Sequence, residues 1–239
     1  MRRSAALAGI AALGTIAGLA GCTGRPRRRA EPPQPPGRPV RIVALGDSLA
    51  LGTGASAPRN GFIFRAYLRV LARRPGSRID SYAIGGSTAA DVLRLQVPRL
   101  AGTRADAVVI CAGGNDVVHR VEPERFRATY ARLLARVRAL QPRAAIVCCG
   151  VPDVGASPLF TGFDGDAVTR LSRADDAAVR ELARRAHASF ADLFAAIERR
   201  GDANRYLSDD RFHPSDAGYE QLAEMLTPVL LRALAVRPT

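Results

Sequence analysis

Short apolar runs alternate with longer amphipathic ones along this chain, and that alternation limits the fold more than any other feature. VRIVAL (40–45), IDSYAI (79–84), ADAVVICA (105–112) and AAIVCCGV (144–151) have the length and content of strands, and SFADL (189–193) is a weaker fifth. Several lack polar alternation, as strands do when both faces of a parallel sheet are covered. The intervening segments carry helical spacing. FIFRAYLRVLARR (62–74) sets Phe62, Tyr67, Leu68 and Leu71 near one face, and AADVLRLQVPRL (89–100) ends or kinks at Pro98. The strongest pattern is 123–140, with Phe126, Tyr130, Leu133, Leu134 and Val137 in phase; 169–188 and 215–234 complete the set. Strands alternating with helices imply βαβ units and a doubly wound α/β sandwich.

In open α/β sheets, ligands bind beyond the carboxyl ends of the strands. Three small, polar clusters fall at such ends: Asp47-Ser48 after the first strand, Gly85-Gly86 after the second, and Gly113-Gly114-Asn115-Asp116 after the third. A reactive serine needs a base, and the base needs a group to orient it. The chain has three histidines. His187 lies in an arginine-rich helical pattern and reads as a surface residue. His119 follows GGNDVV without an obvious carboxylate to hold it. His213 follows Asp210 by three positions in LSDDRFHPSDAGYE, a spacing that lets the carboxylate reach Nδ1–H and leaves Nε2 for a serine. Pro214 is expected in the first turn of the last helix. The Ser48 N–H, the Gly86 N–H and the Asn115 amide are the candidate donors to an oxyanion.

Gly46-Asp47-Ser48-Leu49, the glycine of AIGGST, Gly113-Gly114-Asn115-Asp116 and Asp210-Arg211-Phe212-His213 together resemble the four signature blocks of the GDSL-type, or SGNH, hydrolases. The blocks occur in family order across 46–213. The resemblance implies a flavodoxin-like three-layer α/β/α sandwich, doubly wound on a sheet of about five parallel strands, and hydrolysis of esters or thioesters without a metal or other cofactor. It makes Ser48 the nucleophile and an oxyanion donor, Gly86 and Asn115 the other donors, His213 the base and Asp210 its orienting group. Many members carry asparagine five residues before the second-block glycine; this chain has Ser81. Free imidazole titrates near about pH 6.5, so activity through His213 is expected to fall on the acid side.

Other readings compete with this one. Ser87 in GGSTA approximates the nucleophile elbow of α/β-hydrolases. GGND faintly echoes the loop of two-metal phosphoesterases, which need more histidine and aspartate ligands than this chain offers. A binding module on a retained hydrolase fold is the non-enzymatic alternative. The connection 151–167 is long, and its Leu159, Phe160 and Phe163 either line an acyl pocket or pack on the surface. Asp164 and Asp166 read as solvated rather than as calcium ligands.

The first residues stand apart from the domain. A basic start, an apolar small-residue run and Leu19-Ala20-Gly21-Cys22 read as an exported signal whose end resembles a bacterial lipobox. Diacylated Cys22 would anchor the chain to the outer face of the cell membrane. Residues 23–39 hold too much proline for a packed helix and read as a tether, leaving 40–239 as the hydrolase domain. The net charge of +13 is carried entirely by arginine. The arginines lie beside Asp and Glu on helix faces without interleaved aromatics, so a nucleic-acid partner is not expected. The expected partner is an ester of a small molecule, a lipid or an acylated saccharide. Cys111, Cys148 and Cys149 sit in strand-like runs as small apolar residues. Adjacent Cys148 and Cys149 point to opposite faces, and a bridge from Cys111 to one of them requires neighbouring strands.

Overall fold

A computed structural model describes residues 37–160, 164–198 and 203–236. The signal, Cys22 and nearly all of the tether lie outside the described residues, as does Phe163. Arg41–Gly46 (β1), Arg78–Ser81 (β2), Ala107–Cys111 (β3), Ala145–Cys149 (β4) and Ser189–Ala191 (β5) form one sheet in the order β2-β1-β3-β4-β5. Every pairing in it is parallel. The winding direction reverses between β1 and β3. Their carboxyl ends therefore diverge and leave a crevice.

Period-two burial sends alternate strand residues to two separate cores. Val43, Leu45, Val108, Ile110, Ile146 and Cys148 face one layer of helices. Ile42, Ala44, Val109, Cys111, Val147 and Cys149 face the other. Cys148 and Cys149 thus point to opposite faces, and Cys111, Cys148 and Cys149 are all buried free thiols. Against the first face lie Pro123–Leu140 (helix α5) and Gly165–Arg185 (α6), with a shorter helical stretch between β2 and β3. Against the second lie Phe62–Arg73 (α2) and Asp216–Ala235 (α8), joined by stacked Phe62 and Tyr219 rings 6.2 Å apart. A short helix, Leu193–Glu198 (α7), follows β5. Phe126, Tyr130, Leu133, Leu134 and Val137 are buried as their spacing predicts, each worth roughly 1.5–3 kcal/mol of burial.

Three local expectations shift. In α2 the buried residues are Phe62, Ile63, Ala66 and Val70, while Leu68 is exposed. The face is set by contact with α8, which selects the 62/66/70 row over the 67/68/71 row. The stretch 89–100 is not one helix: an α turn at Ala89–Asp91 (α3) widens to a π turn at Val92–Gln96 and tightens to a 3-10 turn at Val97–Leu100. Pro98 cannot donate an i−4 hydrogen bond, so the regular ladder cannot run through it. His187 lies just past the end of α6, exposed and with φ +50°. No helix of the described residues is long and apolar enough to cross a membrane.

Asp175 on α6 is fully buried, and both its carboxylate oxygens lack a hydrogen-bond partner among the described residues. Burial, with the Asp116 carboxylate adding repulsion, pushes it up to about 8 from 3.8. A raised pKa means the folded state keeps a proton that the unfolded chain gives up. Stability is therefore lost as pH climbs from about 4 to about 8. Asp175→Asn is expected to raise stability by about 2 kcal/mol at pH 8 and to change it little at pH 4. Thermal melts at the two pH values check this; an equal effect at both would contradict it.

Candidate active site

The end of β1 is shaped by glycine. Gly46 has φ +148°, and a Cβ there would lie 2.0 Å from the Cys111 carbonyl. The chain leaves the sheet at this point and starts the short helix Ser48–Leu51 (α1), with Asp47 as N-cap. Asp47 Oδ1 accepts the Leu49 N–H at 2.9 Å. Burial pushes the Asp47 carboxyl up to about 7, against the pull of backbone N–H groups from Leu49 and Ala50. Ser48 is thereby fixed as the first helical residue, half-buried on the crevice wall.

The partner loop comes from the far end of the chain. Leu207 and Pro214 form an antiparallel bridge, and the Ser208 N–H donates to the His213 carbonyl at 2.8 Å. Arg211 turns the chain with φ +59°. Within this turn Asp210 Oδ1 accepts from the Ser208 hydroxyl and from the Phe212 and His213 N–H groups, each at 2.8 Å. Asp210 Oδ2 accepts from His213 Nδ1–H at 2.6 Å, and His213 Nε2 faces Ser48 Oγ at 2.9 Å. Burial disfavours the charged Asp210, but His213 and the other donors outweigh it and hold the carboxyl well below its usual range. The carboxylate stays ionised, keeps the ring hydrogen on Nδ1 and leaves Nε2 as acceptor. Pro214 is not in the first turn of α8: Ser215 caps that helix through Gly218 N–H, and Pro214 belongs to the bridge.

The candidate oxyanion donors come from the neighbouring rim. The Asn115 amide donates to the Ser87 carbonyl at 3.1 Å, which leaves its second hydrogen unspent. Asp116 is buried and accepts the Ala89 N–H at 2.8 Å; burial pushes it up to about 6. The loop after β2 is thus pinned to Asn115-Asp116. Gly86 lies in the loop after β2, exposed, with φ +75° and open space where a Cβ would go. Ser81 ends β2 on the surface. Ser87 is 4% exposed and its hydroxyl accepts from Gln96 at 3.2 Å. Ser48, not Ser87, is the serine that meets an imidazole. His119 is exposed at the end of Gly114–Val118 (α4). Among the described residues no three metal-binding side chains converge.

A cleft of about 230 Å³ opens beside Ser48. Leu49, Ala112, Pro152, Val154, Ala156, Leu207 and Phe212 give it a largely apolar wall. The loop after β4 contributes through its first half. Leu159 is exposed, and Phe160 packs on the core rather than lining the cleft. Sequence inspection missed Gln96, Gly54 and Phe212. Phe212 stood within the Asp-Arg-Phe-His block, where only the polar positions drew notice. Gly54 is forced by close approach: with φ +90°, a Cβ would sit 2.8 Å from His213 Cβ and 2.7 Å from Ser208 Oγ. Gly54→Ala is expected to move the His213 loop and lower kcat by about 10- to 100-fold with KM changing little, and to lower the melting temperature through strain at the positive φ. Wild-type kinetics for this variant would contradict that packing argument.

The GDSL-like Lipase/Acylhydrolase family model matches residues 44–221. A GDSL-like esterase of Mycobacterium tuberculosis is 33% identical over 207 residues, covering 82% of this chain and 63% of its own length. The chain thus spans under two thirds of that relative. Among solved structures, the psychrotrophic esterase EstA of a Pseudoalteromonas species superposes with a TM-score of 0.65 at 16% identity, covering 82% of this chain and 99% of its own. A catalytic mutant of an acetylxylan esterase from Geobacillus stearothermophilus gives 0.63 at 20% identity, with coverage of 84% and 96%. At such identities the superpositions speak to the fold. The family match covers all four sequence blocks, from Gly46 to His213, and the domain between them: this chain belongs to the GDSL-like lipase/acylhydrolase family.

Proposed function

We propose that the chain is a serine hydrolase that cleaves carboxylic esters through an acyl-enzyme on Ser48. The observation that carries the proposal is the unbroken line Asp210–His213–Ser48, with contacts of 2.6 and 2.9 Å. His213 takes the hydroxyl proton as Ser48 attacks the ester carbonyl. Charge then collects on the carbonyl oxygen, where the Ser48 and Gly86 N–H groups and the Asn115 amide receive it. The protonated imidazole gives its proton to the leaving alcohol. Water, deprotonated by the same ring, attacks the acyl-enzyme and frees the acid.

The apolar wall of Val154, Ala156, Leu207 and Phe212 suits an aliphatic acyl group better than a polar one. A panel of p-nitrophenyl esters tests both points. Turnover of short to medium chains, lost in Ser48→Ala, is the expected result. No turnover of any ester by folded protein would overturn the proposal and favour a binding role.

The N-terminal residues support a further proposal, that the protein is exported and anchored by diacylglycerol on Cys22. Its support is the sequence Leu19-Ala20-Gly21-Cys22 after an apolar run, with a proline-rich tether before the domain. Feeding an alkyne fatty acid to expressing cells is expected to tag the wild-type chain and not Cys22→Ser. Equal tagging of both would refute the anchor.

A further inference from the structure

Gln96 is fully buried and makes three hydrogen bonds, none of them to another helix residue. Its Oε1 accepts the Gly46 N–H at 2.8 Å and its Nε2 donates to the Gly46 carbonyl at 2.7 Å. The second Nε2 hydrogen goes to Ser87 Oγ at 3.2 Å. A carboxamide is the neutral side-chain group that both accepts and donates side by side, as a peptide group does. Gln96 therefore acts as a one-residue strand partner on the edge of Gly46 away from β3, sharing the Gly46 carbonyl with the Ile84 N–H at 3.1 Å. The π turn at Val92–Gln96 is what brings the residue there; such turns often mark functional sites.

What Gln96 joins matters more than how well it is satisfied. Gly46 lies two residues before Ser48, and Ser87 directly follows Gly86. The two backbone donors assigned to the oxyanion sit on segments joined by the backbone bond from the Ile84 N–H to the Gly46 carbonyl at 3.1 Å and, closer to Gly86, by this one side chain. The third donor is tied to the same place, since the Asn115 amide bonds the Ser87 carbonyl. We propose that Gln96 is a positioning residue that sets the spacing between the Ser48 and Gly86 N–H groups, so that both reach one carbonyl oxygen. This rests on the reading above that Ser48 attacks an ester. Gln96 does not touch the substrate; it acts through Gly46 and Ser87.

The test compares Gln96→Glu and Gln96→Met with the wild-type chain, each alone and combined with Asn115→Ala. Glutamate keeps the shape but sets an acceptor against the Gly46 carbonyl; methionine removes all three bonds. Each single variant is expected to lower kcat by about 10- to 100-fold with KM changed little, because misplaced donors act in the transition state. In the Asn115→Ala background the same substitutions should cost only a few-fold, since the cradle is already incomplete. Rates are counted per active serine, titrated with a fluorophosphonate. If both variants fail to fold, Ser87→Ala removes only the third bond and is expected to lower kcat by at least about 3-fold. A lower melting temperature with an unchanged kcat per titrated serine would overturn the proposal. So would fully multiplicative losses with Asn115→Ala, or a wild-type kcat for Ser87→Ala where it is needed. Absence of titratable serine in the wild-type chain would instead remove the hydrolase reading itself.

Discussion

Ser48→Ala is expected to lower kcat for ester hydrolysis by about 10⁴- to 10⁶-fold while the melting temperature stays close to that of the wild-type chain. The size follows from chemistry. Without the hydroxyl no acyl-enzyme forms, and only direct attack of water assisted by the oxyanion donors remains. The small structural effect follows from position. Ser48 is half-buried at the mouth of the cleft, and the local fold is held by Asp47 capping α1 and by Gly46 against Cys111. The Ser48 hydroxyl bonds His213 and no core group. Ser87→Ala keeps the nucleophile, so its loss should stay at the few-fold level expected from its lost Gln96 bond. A fall of less than 10-fold in Ser48→Ala, measured by steady-state kinetics with contaminating esterase excluded, would show that another group attacks.

Asp210→Asn is expected to cost about 10⁴-fold in kcat with the loop still formed. Asparagine presents an NH₂ or a carbonyl where His213 now finds a carboxylate. If the carbonyl keeps the Phe212 and His213 N–H bonds at the Oδ1 position, the NH₂ faces Nδ1. That ring nitrogen must then accept, the hydrogen moves to Nε2, and Nε2 can no longer take the Ser48 proton. The carboxylate also stabilises the imidazolium that forms during attack, and a neutral amide does so only weakly. Asp210 sits well below its usual range because of burial offset by four donated hydrogen bonds. It is therefore charged across the whole working pH range, and its titration should not appear in the pH–rate profile. Kinetics together with a crystal structure of the variant check this. Near-normal turnover would mean that the ring finds its tautomer without Asp210.

The parts that were legible in the sequence are those with a short-range signature. The five-strand α/β alternation could be read because strands covered on both faces have unbroken apolar runs. β5 was the faintest because it is only three residues long, Ser189–Ala191. Asp210 and His213 could be paired because only Arg211 and Phe212 separate them in a turn, and the turn's backbone donors then fix both. Helix faces were read correctly where one surface dominates, as in α5. In α2 the apolar residues outnumber those that fit against α8, so periodicity could not choose the row. Gln96 was invisible for a different reason. It looks like any polar residue in an amphipathic helix until the π turn and the bend at Gly46 put its amide against the Gly46 backbone, on the edge away from β3 and beyond the last residue of β2. Gly54 carries no mark of its function because the atoms it makes room for, at Ser208 and His213, lie more than 150 positions away in the chain.

The most direct measurement is covalent capture of the serine. Incubating the folded chain with a fluorophosphonate, then taking the intact mass and mapping the modified peptide, reports which hydroxyl is activated. One adduct per chain on Ser48, forming far more slowly in His213→Ala, is the predicted result. An unmodified folded protein, or an adduct on Ser87 with Ser48 free, would contradict the assignment of Ser48 as nucleophile and His213 as its base.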